Sequence, residues 1–195
     1  MQEKTLSSNY LFTFIKFILF LLIFCFAFSF TKFFIKEVRL EKDINFNILS
    51  LSFLSCFLFY TFFVDLNNLY SKIQKFFFHS NVFSLVVPSF LIVLGLGFFL
   101  IPKIFNLNFD KNLFLFLGGF ILISHLIFIA RDLKKGSFSG FINYLFIFSI
   151  LYIINLLLFS IYLNIAFKID LVKILIEGSK DGAFLIKNLF NQISG

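Results

Sequence analysis

The sequence predicts an all-α, polytopic membrane helical bundle, one integral membrane domain over residues 1–195 with about five transmembrane helices and a C-terminal amphipathic helix. Three observations carry that prediction. Only 14% of the residues are charged and 60% are hydrophobic, whereas a soluble domain uses roughly a quarter charged residues to cover its surface. The apolar residues come in runs long enough to cross a bilayer, which takes about 20 residues of helix. The links between those runs are short and charged, as connections at a membrane surface should be. The mean hydropathy of +0.99 agrees with all three.

The first span is residues 11–34. It follows a polar stretch, Met1–Tyr10, and is flanked by Lys16 at one end and by Lys32 and Lys36 at the other. As a signal peptide it is poor, because its apolar core is long and AFSF lacks the small-x-small cleavage pattern. Phe24 occupies the place where a lipid-attachment site needs a small residue before Cys25. The expectation is therefore an uncleaved span. A mixed-charge loop, EVRLEKDIN, leads to the second span, residues 46–64. Ser52 and Cys56 lie four apart on one face of it, as Cys25 and Ser29 do on the first. Small residues at that spacing let helices approach closely, so both faces are expected to meet protein.

Residues 66–77 change character. Leu66, Leu69, Tyr70, Ile73, Phe76 and Phe77 recur at steps of three and four, with Asn, Ser, Lys and Gln74 between them. This is the pattern of an amphipathic helix suited to lying along the bilayer surface. His79, just beyond, reads as a loop residue. The third span is residues 82–101, with Pro88 in its first third and Gly95 and Gly97 later. Pro88 predicts a kink, since proline supplies no N–H to the helix ladder, and Pro102 reads as a terminator.

The fourth and fifth spans, residues 112–130 and 141–167, form a hairpin joined by the charged link RDLKKGSFSG. Gly118 and Gly119 predict close packing. The fifth span exceeds what a bilayer needs, so it must tilt or project. Tyr144, Tyr152, Asn155 and Tyr162 fall within about 80° of one another at 100° per residue, a polar stripe that should face protein or water because an amide left in hydrocarbon costs several kcal/mol. In the tail, GSKDG predicts a break between two short helices, 170–177 and 183–193, at the membrane surface or against the bundle, the latter amphipathic.

Composition also bounds function. The 37 Phe fit an AT-rich coding bias filling lipid-facing positions, with Trp absent. The net charge of +7 would point to nucleic acid in a soluble protein. Here the Lys and Arg cluster at the ends of apolar runs, where they anchor to headgroups, so no nucleic-acid role is expected. Cys25 and Cys56 sit inside apolar runs and read as buried thiols. Every acid lies at a span end, in a loop or in the tail, which leaves no mid-membrane carboxylate for ion-coupled transport. No nucleotide-binding glycine loop, metal-ligand spacing or nucleophile motif is present, so neither a cofactor nor a metal is expected.

His125 is the one histidine within a span, and an ionisable residue at that depth is a functional candidate by default. The competing reading is a neutral imidazole hydrogen-bonded to a neighbouring helix. Its expected partner across the hairpin is Asn155 or Tyr152, and antiparallel packing, which sets His125 opposite an early part of the fifth span, adds Tyr144 and Ser149. The expected role is non-catalytic: a subunit, scaffold or assembly factor in the plasma (inner) membrane, partnered by lipid and by other membrane proteins or a second copy. The alternative is a small oligomeric transporter or channel with His125 and Asn155 lining a polar path. A membrane enzyme would need Asp65, Asp132 and His125 around one cavity. The larger share of the 17 Lys and Arg falls inside if the N-terminus is outside and the C-terminus inside, though the residues after Phe167 supply that majority.

Overall fold

The protein is an all-α helical bundle. Its structure, a computed structural model, describes residues 2–63, 66–78, 80–105, 110–135 and 140–194. Val64 at the end of the second span, the acid Asp65 and the loop residue His79 lie outside the described residues. Among the described residues eight helices run in order: α1 (Gln2–Leu40), α2 (Phe46–Phe62), α3 (Leu66–Phe77), α4 (Asn81–Val86), α5 (Ser89–Phe105), α6 (Lys111–Lys135), α7 (Phe141–Ala166) and α8 (Leu171–Ser194).

Several helix starts follow from local chemistry. The side chain of Asn45 accepts from Asn47 N at 3.1 Å, Asp110 from Asn112 N at 2.8 Å and Asp170 from Lys173 N at 2.9 Å. Each satisfies a backbone donor that the first turn of a helix leaves open. Gly140, at φ 136°, opens α7 in a conformation that a side chain would resist.

Among the described residues, three stretches are long and apolar enough to cross a membrane: Phe12–Leu40, Lys111–Lys134 and Phe141–Ala166. The chain is a membrane protein by that measure. The helices α2 and α5 are equally apolar but have 17 residues each, and 17 residues rise only about 26 Å, against a hydrocarbon thickness of roughly 30 Å.

The antiparallel pair α6–α7 forms the centre. Tyr162 of α7 stacks on Phe114 of α6 with ring centroids 4.1 Å apart, and Leu151 packs with Phe128 and Ile129 toward the other end. Parallel to α6, α2 closes against it, with Ser52 on Gly119 and Cys56 Sγ 3.3 Å from Ser124 Oγ. Both faces expected to meet protein do so: Ser52, Cys56, Cys25 and Ser29 are all buried. Gly118 and Gly119 act as predicted, because a Cβ on either would overlap the Tyr162 ring or the Ser52 hydroxyl. On the far side, α1 packs along α7 through Phe34 and Phe159, 5.8 Å apart.

Three expectations fail, one in the tail and two in the third span. GSKDG does not break the chain. One helix, α8, runs from Leu171 to Ser194, so the amphipathic segment 183–193 is its second half. It returns antiparallel along α1, with Gly178 against Phe30 and Gly182 against Phe26. The glycines are seats for aromatic rings, and that close packing offsets their propensity cost of about 1 kcal/mol each. Two ion pairs reinforce it, Lys173–Glu37 at 2.6 Å and Lys32–Asp181 at 2.9 Å.

The segment 82–101 is not one helix either. It divides into α4 and α5 at Val87–Pro88, and the second piece continues through Pro102 to Phe105. Pro102 therefore fails to terminate. The division follows from Pro88, which has no N–H for the carbonyl four residues back. It also drives the residue before it out of the helical region, and Val87 stands at φ −116°, ψ 116°.

Candidate functional site

A helix broken inside an apolar bundle leaves carbonyls and an amide to be satisfied, since water is not there to do it. Around Pro88 those groups are met by side chains from two other helices. In an unbroken helix the carbonyl of Ser84 would accept from residue 88. Here it accepts from Nε2 of Gln74 at 2.9 Å, which also donates to the Val87 carbonyl. The Ser89 amide, which would have served Leu85, donates to Gln74 Oε1 at 3.2 Å, and the Ser89 hydroxyl donates to the same oxygen at 2.5 Å. One glutamine side chain thus bridges both sides of the break.

The carbonyl of Leu85, left open, lies 3.2 Å from Nε2 of His125. A carbonyl only accepts, so this nitrogen carries the proton, which makes Nδ1 the acceptor for the Tyr70 hydroxyl 3.0 Å away. In that tautomer the imidazole is neutral and both its nitrogens are bonded. Tyr70, Gln74, Ser84, Ser89 and His125 are all buried, within aromatic packing that includes Phe90 and Phe128.

This arrangement differs from the pairing expected across the hairpin. The structure places His125 against α3 and α4, not against Asn155, Tyr152, Tyr144 or Ser149. The residues α3 contributes, Tyr70 and Gln74, are four apart and so share a face. The amphipathic reading placed Gln74 with the polar side; it is fully buried instead. A proline within an apolar run was the available signal, because its freed backbone groups need a donor and an acceptor from somewhere.

The polar stripe of α7 disperses among several neighbours. Tyr162 donates to the Phe114 carbonyl at 2.7 Å, and the Tyr152 hydroxyl meets that of Thr31 at 2.8 Å. Tyr144 stacks on Phe148 at 5.9 Å. Asn155 is fully buried and donates from Nδ2 to the Leu151 carbonyl at 2.9 Å. Its Oδ1 has no hydrogen-bond partner among the described residues.

At the α1–α8 contact Lys32 and Glu37 lie in the C-terminal part of α1, and Lys173 and Asp181 lie on α8. Hydrogen bonds from Lys32 and then Ser29 hold the Asp181 carboxyl below its ordinary value. The Glu37 carboxylate raises Lys173 above its own. Among the described residues, no group of three His, Cys, Asp or Glu could hold a metal ion, and Cys25 and Cys56 are free and buried.

The class these observations define is a membrane helical bundle with a polar knot at a broken helix. Compared with protein-family models, with curated proteins and with solved structures, the chain matches none.

Proposed function

We propose that this protein is a multi-pass, non-catalytic subunit, scaffold or assembly factor of a complex in the plasma membrane. The observation that carries the reading is the use made of its intramembrane polar groups. Tyr70, Gln74 and His125 bond to one another or to backbone freed by Pro88, and Tyr152 and Tyr162 tie α7 to its neighbours. Groups spent on holding helices in place are not available to conduct or transform a substrate. The surface, by contrast, offers contact area. Along its outer side α8 exposes Phe184 and Phe190 beside Lys180 and Lys187.

A transporter or channel is the second reading, and Asn155 favours it. A buried amide oxygen without a partner costs about 1–3 kcal/mol, which a water-filled path would relieve. Isolation of the full chain in mild detergent, followed by intact-mass measurement of the assembly, tests the two. The first reading expects a stoichiometric second membrane protein. A homo-oligomer that moves solute in liposomes would replace it with the second.

A further inference from the structure

Between α5 and α7 lies a groove of about 260 Å³ whose walls expose no polar atom. Tyr162 shows it only ring carbon, because the hydroxyl is turned away to the Phe114 carbonyl. The groove is lined by Pro88 just before α5, by Ile92, Gly95 and Phe99 along one stripe of α5, and by Ile161 and Ile165 on α7. Gly95 lets α7 approach, with a Cβ there only 3.1 Å from Ile165 Cδ1.

Each wall has a lysine near its end. One more step of four along α5 reaches Lys103, whose Nζ lies over the Phe99 ring at 3.7 Å. On the other wall α7 ends at Ala166, and Lys168 follows it just past the extended Phe167. Both helix ends are on the same side of the bundle. The Leu85 carbonyl meets His125 while Phe98 stacks on Phe114 at 4.2 Å, so α4–α5 runs antiparallel to α6, as α7 does. Lys32, Lys111, Lys173 and Lys180 are committed to acids; among the described residues, no ion pair takes up Lys103 or Lys168, and both are exposed.

The dimensions select an occupant. From Pro88 to Phe99 the rise is about 16 Å at 1.5 Å per residue, half the roughly 30 Å hydrocarbon thickness. Lys103 lies about 6 Å further on, the depth of a headgroup layer on one side of a bilayer of roughly 40–45 Å overall. We propose that this groove seats one acyl chain of an anionic phospholipid from a single leaflet, with its phosphate held by Lys103 and Lys168. The apolar wall supplies the chain contact, and the lysines supply the choice of headgroup.

Native mass spectrometry of the full chain tests this, using phosphatidylglycerol and phosphatidylcholine with identical acyl chains. The expected result is preferential retention of phosphatidylglycerol, falling roughly fivefold with each of Lys103→Gln and Lys168→Gln. Leu96→Trp, on the groove's exposed rim, should reduce retention of both lipids while elution in detergent stays unchanged. Ile161→Trp, from the opposite wall, repeats the test if the first variant fails to fold. Equal retention of the two lipids, or retention indifferent to both lysines, overturns the headgroup assignment. Unchanged lipid retention in the tryptophan variants overturns the groove, and if their oligomeric state changes instead, the surface is a protein interface.

Discussion

The hydroxyl of Tyr70 lies 3.0 Å from Nδ1 of His125, across 55 residues of sequence. That bond joins a short amphipathic helix to the central hairpin and leaves the imidazole's other nitrogen to serve the Leu85 carbonyl. The histidine is thereby part of how α3, α4 and α6 are held together.

Tyr70→Phe should lower stability by about 1–3 kcal/mol, the cost of leaving a buried acceptor unpaired. Thermal unfolding in detergent measures it. His125→Phe should remove most of the further effect of Tyr70→Phe, since a double-mutant cycle isolates the shared bond.

Gln74→Leu should be the more damaging change. It strips the Ser84 and Val87 carbonyls and the Ser89 amide and hydroxyl of one shared partner, for a loss of roughly 3 kcal/mol or more. Pro88→Ala restores an N–H that can serve the Ser84 carbonyl. The double variant should therefore be more stable than Gln74→Leu alone, again by thermal unfolding.

Gly119→Ala should cost about 1–3 kcal/mol through overpacking, because its Cβ would overlap the Ser52 hydroxyl. Ser52→Ala removes that oxygen and should recover part of the loss. Gly178→Ala should loosen α8, with the new Cβ 2.6 Å from Phe30 Cδ1, and Phe30→Leu should restore the contact. Limited proteolysis of the tail reports both changes.

Docking of α8 should depend on pH at both extremes. The folded chain holds Asp181 below its ordinary value of 3.8 through Lys32 and Ser29. Its contribution is present above that value and is lost as the pH falls through the lower, folded one. Lys173 is raised above 10.5 by Glu37, so its contribution is complete below that value and lost as the pH rises through the folded one. Proteolytic release of α8 should increase in acid, and Asp181→Asn should flatten that acid limb.

Much of this architecture was legible in the residues. Apolar runs located the helices, the pairs Ser52–Cys56 and Gly118–Gly119 marked close contacts, and Pro88 marked the place of the break. The failures share a cause. Gly178, Gly182 and Pro102 are local signals for helix ends, but the chain continues through them; at the two glycines contacts with Phe30 and Phe26 outweigh propensity. The partners of His125 come from α3 and α4, and sequence spacing carries no signal for a contact made across that distance. Gln74 looked like one polar residue among several because its role depends on a break fourteen positions later.

The central claim is that the bundle's interior polar groups serve packing and line no aqueous path. Asn155 decides it, as the buried residue whose amide oxygen has no partner among the described residues. The direct measurement is reaction of Asn155→Cys with a membrane-impermeant maleimide, in liposomes, with Cys25 and Cys56 replaced by Ala. The account predicts no modification from either side until the protein is denatured. Rapid modification from one side would contradict it and show a water-filled route to the middle of α7.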